Sequence, residues 1–84
     1  MQSNPVSPGK YYRHFRGKIY KVIGVALHTE TEEPMVVYQA QYGDTKLFVR
    51  PLAMFTEELD EKRYPEAKQK FRFELIKDYK TDLL

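Results

Sequence analysis

Apolar and polar residues alternate along much of this chain, which is the pattern of β-strands that bury one face. Five segments carry this pattern and predict strands; they are 11–15, 18–28, 35–42, 46–50 and 71–76. The third segment alternates most cleanly, and its more apolar face consists of Val36, Tyr38, Ala40 and Tyr42. The last segment is expected to pair with an early strand and to point three residues inward, Phe71, Phe73 and Leu75.

The second segment has apolar residues on both faces, which predicts a long strand that bends across a small core, with Gly24 as the bend or bulge. Pro51 lacks a backbone donor and is expected to stop the fourth strand and to begin a single helical turn over 51–55. Short polar connections indicate antiparallel hairpins. These elements predict an all-β fold, a small SH3-like barrel of about five antiparallel strands with one short helical turn, and leave an OB-like barrel as the alternative.

The length of 84 residues suits one small domain. We expect residues 1–10 to form a flexible N-terminal arm, residues 11–77 a single small β-barrel domain, and residues 78–84 a C-terminal tail. The absence of Cys excludes a disulfide framework and a thiolate zinc site. The first residues lack the features of a signal peptide and no apolar run approaches the length of a membrane span, so the predicted location is cytoplasmic, with no membrane partner.

The formal net charge of +2 conceals a blockwise distribution. Residues 1–28 hold five basic residues and no acidic residue, whereas residues 29–44 hold four acidic residues and no basic one. Nucleic-acid-binding domains usually have a more one-sided balance. A fold can nevertheless gather basic blocks on one face, so the charge keeps nucleic acid among the possible partners.

Several catalytic motifs are absent from the sequence. The four glycines are scattered, the serines lie within the first ten residues and there is no Cys, which excludes a phosphate-binding loop, a nucleophile elbow and a cysteine nucleophile. The two histidines, His14 and His28, with Glu30 or Asp44, have the chemistry of a metal site or an acid–base pair. Their spacing matches no compact metal motif, which favours strand-end histidines that hydrogen-bond nearby groups and predicts no metal or cofactor.

Phe48 and Arg50 share one face of the fourth strand, opposite Leu47 and Val49. If their face is outward, the guanidinium can bind a carboxylate or phosphate while the aromatic ring stacks on a base or a proline. Further tyrosines would extend this surface: Tyr12, Tyr20, Tyr38 and Tyr42. Alternatively, the aromatic residues fill the core. Arg50 then pairs with one of three acidic residues, Glu30, Glu32 and Glu57.

Several separated strings of the sequence point to one family. They are Tyr12-Arg13-His14-Phe15-Arg16-Gly17, Val25-Ala26-Leu27-His28-Thr29-Glu30-Thr31, Val36-Val37-Tyr38, Tyr42-Gly43 and Phe48-Val49-Arg50-Pro51 followed by Met54-Phe55. In this order they resemble the bacterial domain of unknown function 1653 family, whose members read YRHFKG, HSET, VVY, YG and WVRPxxMF. Thr29 and Phe48 stand where the family often has Ser and Trp. The resemblance implies a small bacterial single-domain protein and names no function.

The residues favour a non-enzymatic binding module for nucleic acid or a protein segment. Its candidate binding residues are Tyr12, His14, His28, Glu30, Tyr42, Phe48 and Arg50. The alternative is a small enzyme or a metal- or small-molecule-binding domain with a site built from His14, His28, Glu30 and Arg50, which requires these four side chains to converge. A third possibility is a structural or oligomerising domain with an exposed sheet edge, and the sequence leaves the oligomeric state open.

Overall fold

A computed structural model describes residues 6–77 and residue 79 of the chain. Its elements are β1 (Tyr11–His14), β2 (Ile19–Leu27), β3 (Pro34–Ala40), β4 (Leu47–Pro51), α1 (Leu52–Phe55) and β5 (Phe73–Leu75). Each predicted strand is present, with bounds that differ from the prediction by at most two residues, and α1 is the predicted helical turn. Pro51 was expected to stop the fourth strand but is the last residue of β4 and pairs with Met35. No helix among the described residues is long and apolar enough to cross a membrane.

The five strands form one antiparallel sheet in the order β4-β3-β2-β1-β5. A meander of four strands with the fifth next to the first is the strand order of SH3-like domains, which removes the OB-like alternative. The predicted all-β fold with one short helical turn is therefore confirmed. Within the described residues β4 and β5 do not pair, so the sheet stays open where a complete barrel would close.

The two ends of the sheet, at β4 and β5, are linked by side-chain contacts and not by backbone hydrogen bonds. Phe55 of α1 stacks on Phe73 of β5 with ring centroids 4.1 Å apart, and its edge meets Tyr38 of β3 at 5.3 Å. Burying one such aromatic side chain contributes about 1.5–3 kcal/mol, and each favourable ring pair adds about 0.5–1.5 kcal/mol. Because Phe55 touches strands from both halves of the sheet, α1 holds the curved sheet around its core.

A β-bulge in β2 explains why both faces of this strand are apolar. Val22 lies opposite Tyr38, but Gly24 lies opposite Val37, so Ile23 is an extra residue between them. The predicted bend next to Gly24 is therefore confirmed. Beyond the bulge the alternation reverses, and Val25 points to the same concave face as Val22 although the two are three residues apart.

The core lies on the concave face of the sheet. Its buried members are Tyr12, Val22, Val36, Tyr38, Ala40, Phe55 and Phe73. Of the three residues predicted to point inward from the last strand, Phe73 is buried, Leu75 is 44% exposed, and Phe71 lies before β5 in an isolated bridge with Glu58. Leu75 lies opposite Tyr12 of β1, and within the described residues no further strand pairs with the outer side of β5.

Residues before β1 also lie against the sheet. Val6 packs on the core, the Ser7 N–H donates to the Tyr12 hydroxyl at 2.8 Å, and the Gly9 N–H donates to the Val22 carbonyl at 2.8 Å. Of the predicted N-terminal arm, residues 1–5 lie outside the described residues, as does nearly all of the predicted tail over 78–84. The boundaries of the arm, the domain and the tail stay predictions.

The long segment between α1 and β5 is held to the sheet by side chains. The Gln69 amide donates to the backbone carbonyls of Arg13 and Phe71 at 2.9 and 3.0 Å. Arg72 forms a salt bridge with Glu57, which joins the two ends of the segment. These contacts fix β5 beside β1, and this position brings Phe73 under the residues described next.

Candidate ligand-binding site on the concave face

Phe48 and Arg50 both lie on the concave side of β4. The register pairs Phe48 with Tyr38 and Arg50 with Val36, whose side chains are in the core. Phe48 is still 40% exposed because β4 is the edge of the sheet. The outward face of β4 is instead formed by Leu47 and Val49, each 62% exposed. The predicted pair therefore sits at the open border of the core.

Arg50 is held by aromatic groups. Its Nε donates a hydrogen bond to the Tyr38 hydroxyl at 3.2 Å, and its guanidinium carbon lies 5.6 Å from the centre of the Phe73 ring. Within the described residues no carboxylate lies at ion-pair distance from Arg50. Of the acidic partners expected from the sequence, Glu57 pairs with Arg72 instead. The positive charge of Arg50 is therefore positioned but not neutralised.

The two aromatic residues that contact Arg50, Tyr38 and Phe73, belong to a larger set of rings that we call the Tyr20 cluster; its members are Tyr20, Tyr38, Tyr42, Phe48 and Phe73. The Tyr20 ring contacts each of the others, with centroid distances between 5.3 and 6.2 Å. Its hydroxyl is 2.7 Å from that of Tyr42. Burial is the largest cause that raises the pKa of Tyr20, and the hydrogen bond with Tyr42 raises this pKa further. Lys18 places its ammonium 4.7 Å from the Tyr42 ring centre.

His14 borders the Tyr20 cluster at the end of β1. Its ring stacks on Phe15 at 4.6 Å and meets the Phe73 edge at 5.0 Å. Burial, which is the largest cause, and the positive charges of Arg50, Arg72 and Arg16 together lower the pKa of His14 to about 4. His14 is therefore neutral at pH 7, and its Nδ1 already accepts the Arg16 N–H at 3.1 Å. Arg72 is paired with Glu57, but Arg50 and Arg16 make this border of the core electropositive, which favours anions over metal cations.

His28 and Glu30 lie elsewhere, in the turn between β2 and β3. His28 Nδ1 accepts the backbone N–H groups of Glu30 and Thr31 at 3.1 and 3.4 Å, as expected of a strand-end histidine. This turn and His14 flank opposite ends of β2, whose nine residues span about 25 Å. Among the described residues no three His, Asp or Glu side chains are placed to hold a metal ion.

The fold thus brings together four of the seven predicted site residues: His14, Tyr42, Phe48 and Arg50. Tyr12 belongs to the core at 1% exposure, and its hydroxyl is bonded to Ser7. The sequence interpretation missed the part that Phe73 and Arg72 play, because their position depends on β5 lying beside β1. A surface depression of about 700 Å³ near Glu58 and Tyr64 shares no residue with this site.

These features define a small all-β domain of SH3-like strand order with an aromatic, positively charged surface at the open border of its core. Residues 10–75 match the model of a family described as protein of unknown function (DUF1653). The chain belongs to this family, which confirms the resemblance noted in the sequence.

A crystal structure of a protein of the DUF1653 family from Bordetella bronchiseptica is similar to this chain. The TM-score is 0.70 and the sequences are 32% identical over 84% of this chain and 87% of that chain. Among curated proteins, no match to the chain was found.

Proposed function

We propose that the protein is a non-enzymatic binding module whose ligand contacts Tyr42, Phe48 and Arg50. The observation that carries this proposal is the state of Arg50, a half-buried guanidinium fixed by Tyr38 and Phe73 with no carboxylate at ion-pair distance in the described part of the chain. Holding a cation in partly apolar surroundings without a counter-charge is unfavourable. A ligand anion would supply that counter-charge.

The neighbours of Arg50 define the rest of the ligand. Phe48 and Tyr42 are exposed aromatic rings that offer a stacking or apolar contact. Lys18, over the Tyr42 ring, adds a second positive charge. The ligand is therefore expected to combine an anionic group with a flat or apolar one. A single-stranded nucleic acid combines phosphates with bases, and an extended protein segment combines carboxylates with apolar side chains.

The alternative function, a small enzyme or metal- or small-molecule-binding site made of His14, His28, Glu30 and Arg50, has less support. It needs these side chains at one place, and His14 and His28 flank opposite ends of β2. His14 also remains neutral down to low pH, with its Nδ1 engaged by backbone.

The test compares two arginines that differ in their surroundings. Arg50→Gln removes the guanidinium of the Tyr20 cluster, and Arg13→Gln removes an exposed arginine that lies opposite Ile19 and Glu74 on the other face of the sheet. Labelled single-stranded RNA and DNA are titrated at about 50 and 200 mM salt, and a displayed library of random peptides is selected against each variant.

We expect one of the two ligand classes to bind the wild type, with binding weakened about tenfold or more by Arg50→Gln and about twofold by Arg13→Gln. Circular dichroism verifies that both variants are folded. Equal weakening by the two substitutions would reduce the effect to net charge and contradict the site. Failure of the wild type to bind either class would contradict the binding function itself.

A further inference from the structure

The outer edge of β4 carries unpaired backbone groups. The Ala40 N–H donates to the Lys46 carbonyl at 3.0 Å, and this bond fixes which residues of β4 face β3. In an antiparallel ladder the N–H and C=O groups of successive residues point to alternate sides of the strand. The backbone groups of residues 48 and 50 therefore bond to β3, and those of residues 47 and 49 point away from β3. No described residue hydrogen-bonds to the outward N–H and C=O groups of Leu47 and Val49.

Natural sheet edges are normally blocked by inward-pointing charges, prolines or bulges. On β4 this protection is limited to the last two residues, since Arg50 carries an inward-facing charge and Pro51 is a proline. On the face of β4 that points away from the core, the side chains are Leu47 and Val49, each 62% exposed, and Val37 lies beside Val49 on this face. Pro51 blocks the last position alone. The sequence predicted that Pro51 would stop the strand, but Pro51 still pairs with Met35. At this position the backbone N–H of any other residue would point away from β3, so the pairing with β3 does not need the donor that proline lacks.

We propose that β4 takes up an extended segment of another protein as a sixth strand, and that this segment alternates apolar with acidic residues. The proposal rests on the proposed function and names the partner class of the same site. The apolar residues of the added strand would lie on the face away from the core, beside Leu47 and Val49. Its acidic residues would lie on the core face, beside Phe48 and Arg50, where a carboxylate would neutralise the guanidinium.

Positive charge along β4 favours this occupant over a second copy of the chain paired about Phe48. Arg50 is on the same face as Phe48, and Lys46, the residue before β4, stands two positions before Phe48 in the sequence. If β4 paired antiparallel with another β4 about Phe48, each Lys46 would face an Arg50, and like charges in facing positions are destabilising. A strand with acidic residues at alternate positions turns both cations into attractive pairs. A nucleic acid would leave the row of outward N–H and C=O groups and the two apolar side chains without a counterpart.

The test uses a substitution that should harm the edge and spare the fold. Because the Val49 N–H is not used in the ladder with β3, Val49→Pro removes one outward donor while the pairing with β3 is retained. The matched control, Val49→Thr, keeps the N–H and the β-branched shape. The probe is a labelled, capped peptide of about ten residues that alternates Val and Glu, and the counter-probe alternates Val and Lys.

We expect the wild type to bind the Val–Glu peptide, Val49→Pro to weaken it about tenfold or more, and Val49→Thr to stay within about threefold. The Val–Lys peptide should not bind. Amide hydrogen exchange adds a readout on the wild type alone, since the peptide should slow exchange at Leu47 and Val49. It keeps the proposal testable even if Val49→Pro fails to fold.

Each contrary result has a distinct meaning. If Arg50→Gln abolishes peptide binding but a folded Val49→Pro does not, or if exchange at Leu47 and Val49 is unchanged, strand addition is wrong and the binding site stands. If the wild type forms dimers that Val49→Pro disrupts, the edge belongs to a second copy. If single-stranded nucleic acid binds and the Val–Glu peptide does not, the partner is a nucleic acid. Either of these last two results overturns the proposed occupant.

Discussion

One side chain, His14, is expected to make the stability of this protein depend on pH. Burial and three neighbouring arginines lower the pKa of His14 from 6.5 to about 4. As pH falls from 6.5 to about 4, His14 takes up a proton in the unfolded chain but not in the folded protein, so the unfolded state is favoured. The contribution of the neutral ring to stability is complete above pH 6.5 and is lost as pH falls to about 4.

The size of the effect follows from the size of the shift. A pKa change of this extent corresponds at full value to about 3 kcal/mol. The ring is only half-buried and solvent screens the arginine charges, so we expect His14 to account for about 1–2 kcal/mol. This is a substantial share of the total stability of a small domain, which is typically about 5–15 kcal/mol.

The assay is urea unfolding followed by circular dichroism at about pH 7 and pH 4.5, applied to the wild type, His14→Gln and His28→Gln. Loss of the ring contacts lowers the stability of His14→Gln at both pH values, so the change between them isolates the titration. The wild type and His28→Gln should lose about 1–2 kcal/mol more on acidification than His14→Gln. Equal losses in all three proteins would refute the reasoning.

Three further expectations can be checked by thermal and chemical unfolding. Phe55→Ala should cost about 3–5 kcal/mol, because Phe55 is fully buried and joins both halves of the sheet; a loss below about 1 kcal/mol would contradict this role. Arg72→Ala should cost about 1 kcal/mol and Lys70→Ala less than about 0.5 kcal/mol, since the Lys70–Glu58 pair is far more exposed; the reverse order would count against the burial argument. Gly17→Ala should cost about 1–3 kcal/mol, because Gly17 has a φ of 109° that strains a residue with a Cβ atom. Gly24→Ala should be close to neutral, because no atom lies near the position of the added Cβ. Similar losses at both positions would contradict backbone strain at Gly17.

Much of the fold was predictable because alternation and turn chemistry are local properties of a sequence. The strand positions, the helical turn after Pro51 and the bulge next to Gly24 all followed from patterns a few residues long. The lack of pairing between the edge strands β4 and β5 was not predictable, because it depends on the short length of β5 and on the position of Phe55 between the two halves of the sheet.

The candidate site was predictable only in part. Alternation showed that Phe48 and Arg50 share a face, but both faces of β4 carry apolar residues, so the direction of the core was undetermined until Phe48 was seen opposite Tyr38. The placement of Phe73 under Arg50 joins residues far apart in the chain. His28 was grouped with His14 by residue type, although the nine-residue strand between them holds them apart.

The first and last strands of the sheet are neighbours, with Tyr12 opposite Leu75, and the Ile76 N–H donates to the Tyr11 carbonyl at 2.9 Å. The polypeptide therefore enters and leaves the sheet at one place. A domain built this way can be inserted into a surface loop of a host protein without stretching the host's backbone. Joining the two ends and opening the chain in the turn between β2 and β3 should likewise yield a circular permutant that keeps the ligand surface intact, since that surface lies at the other end of β2.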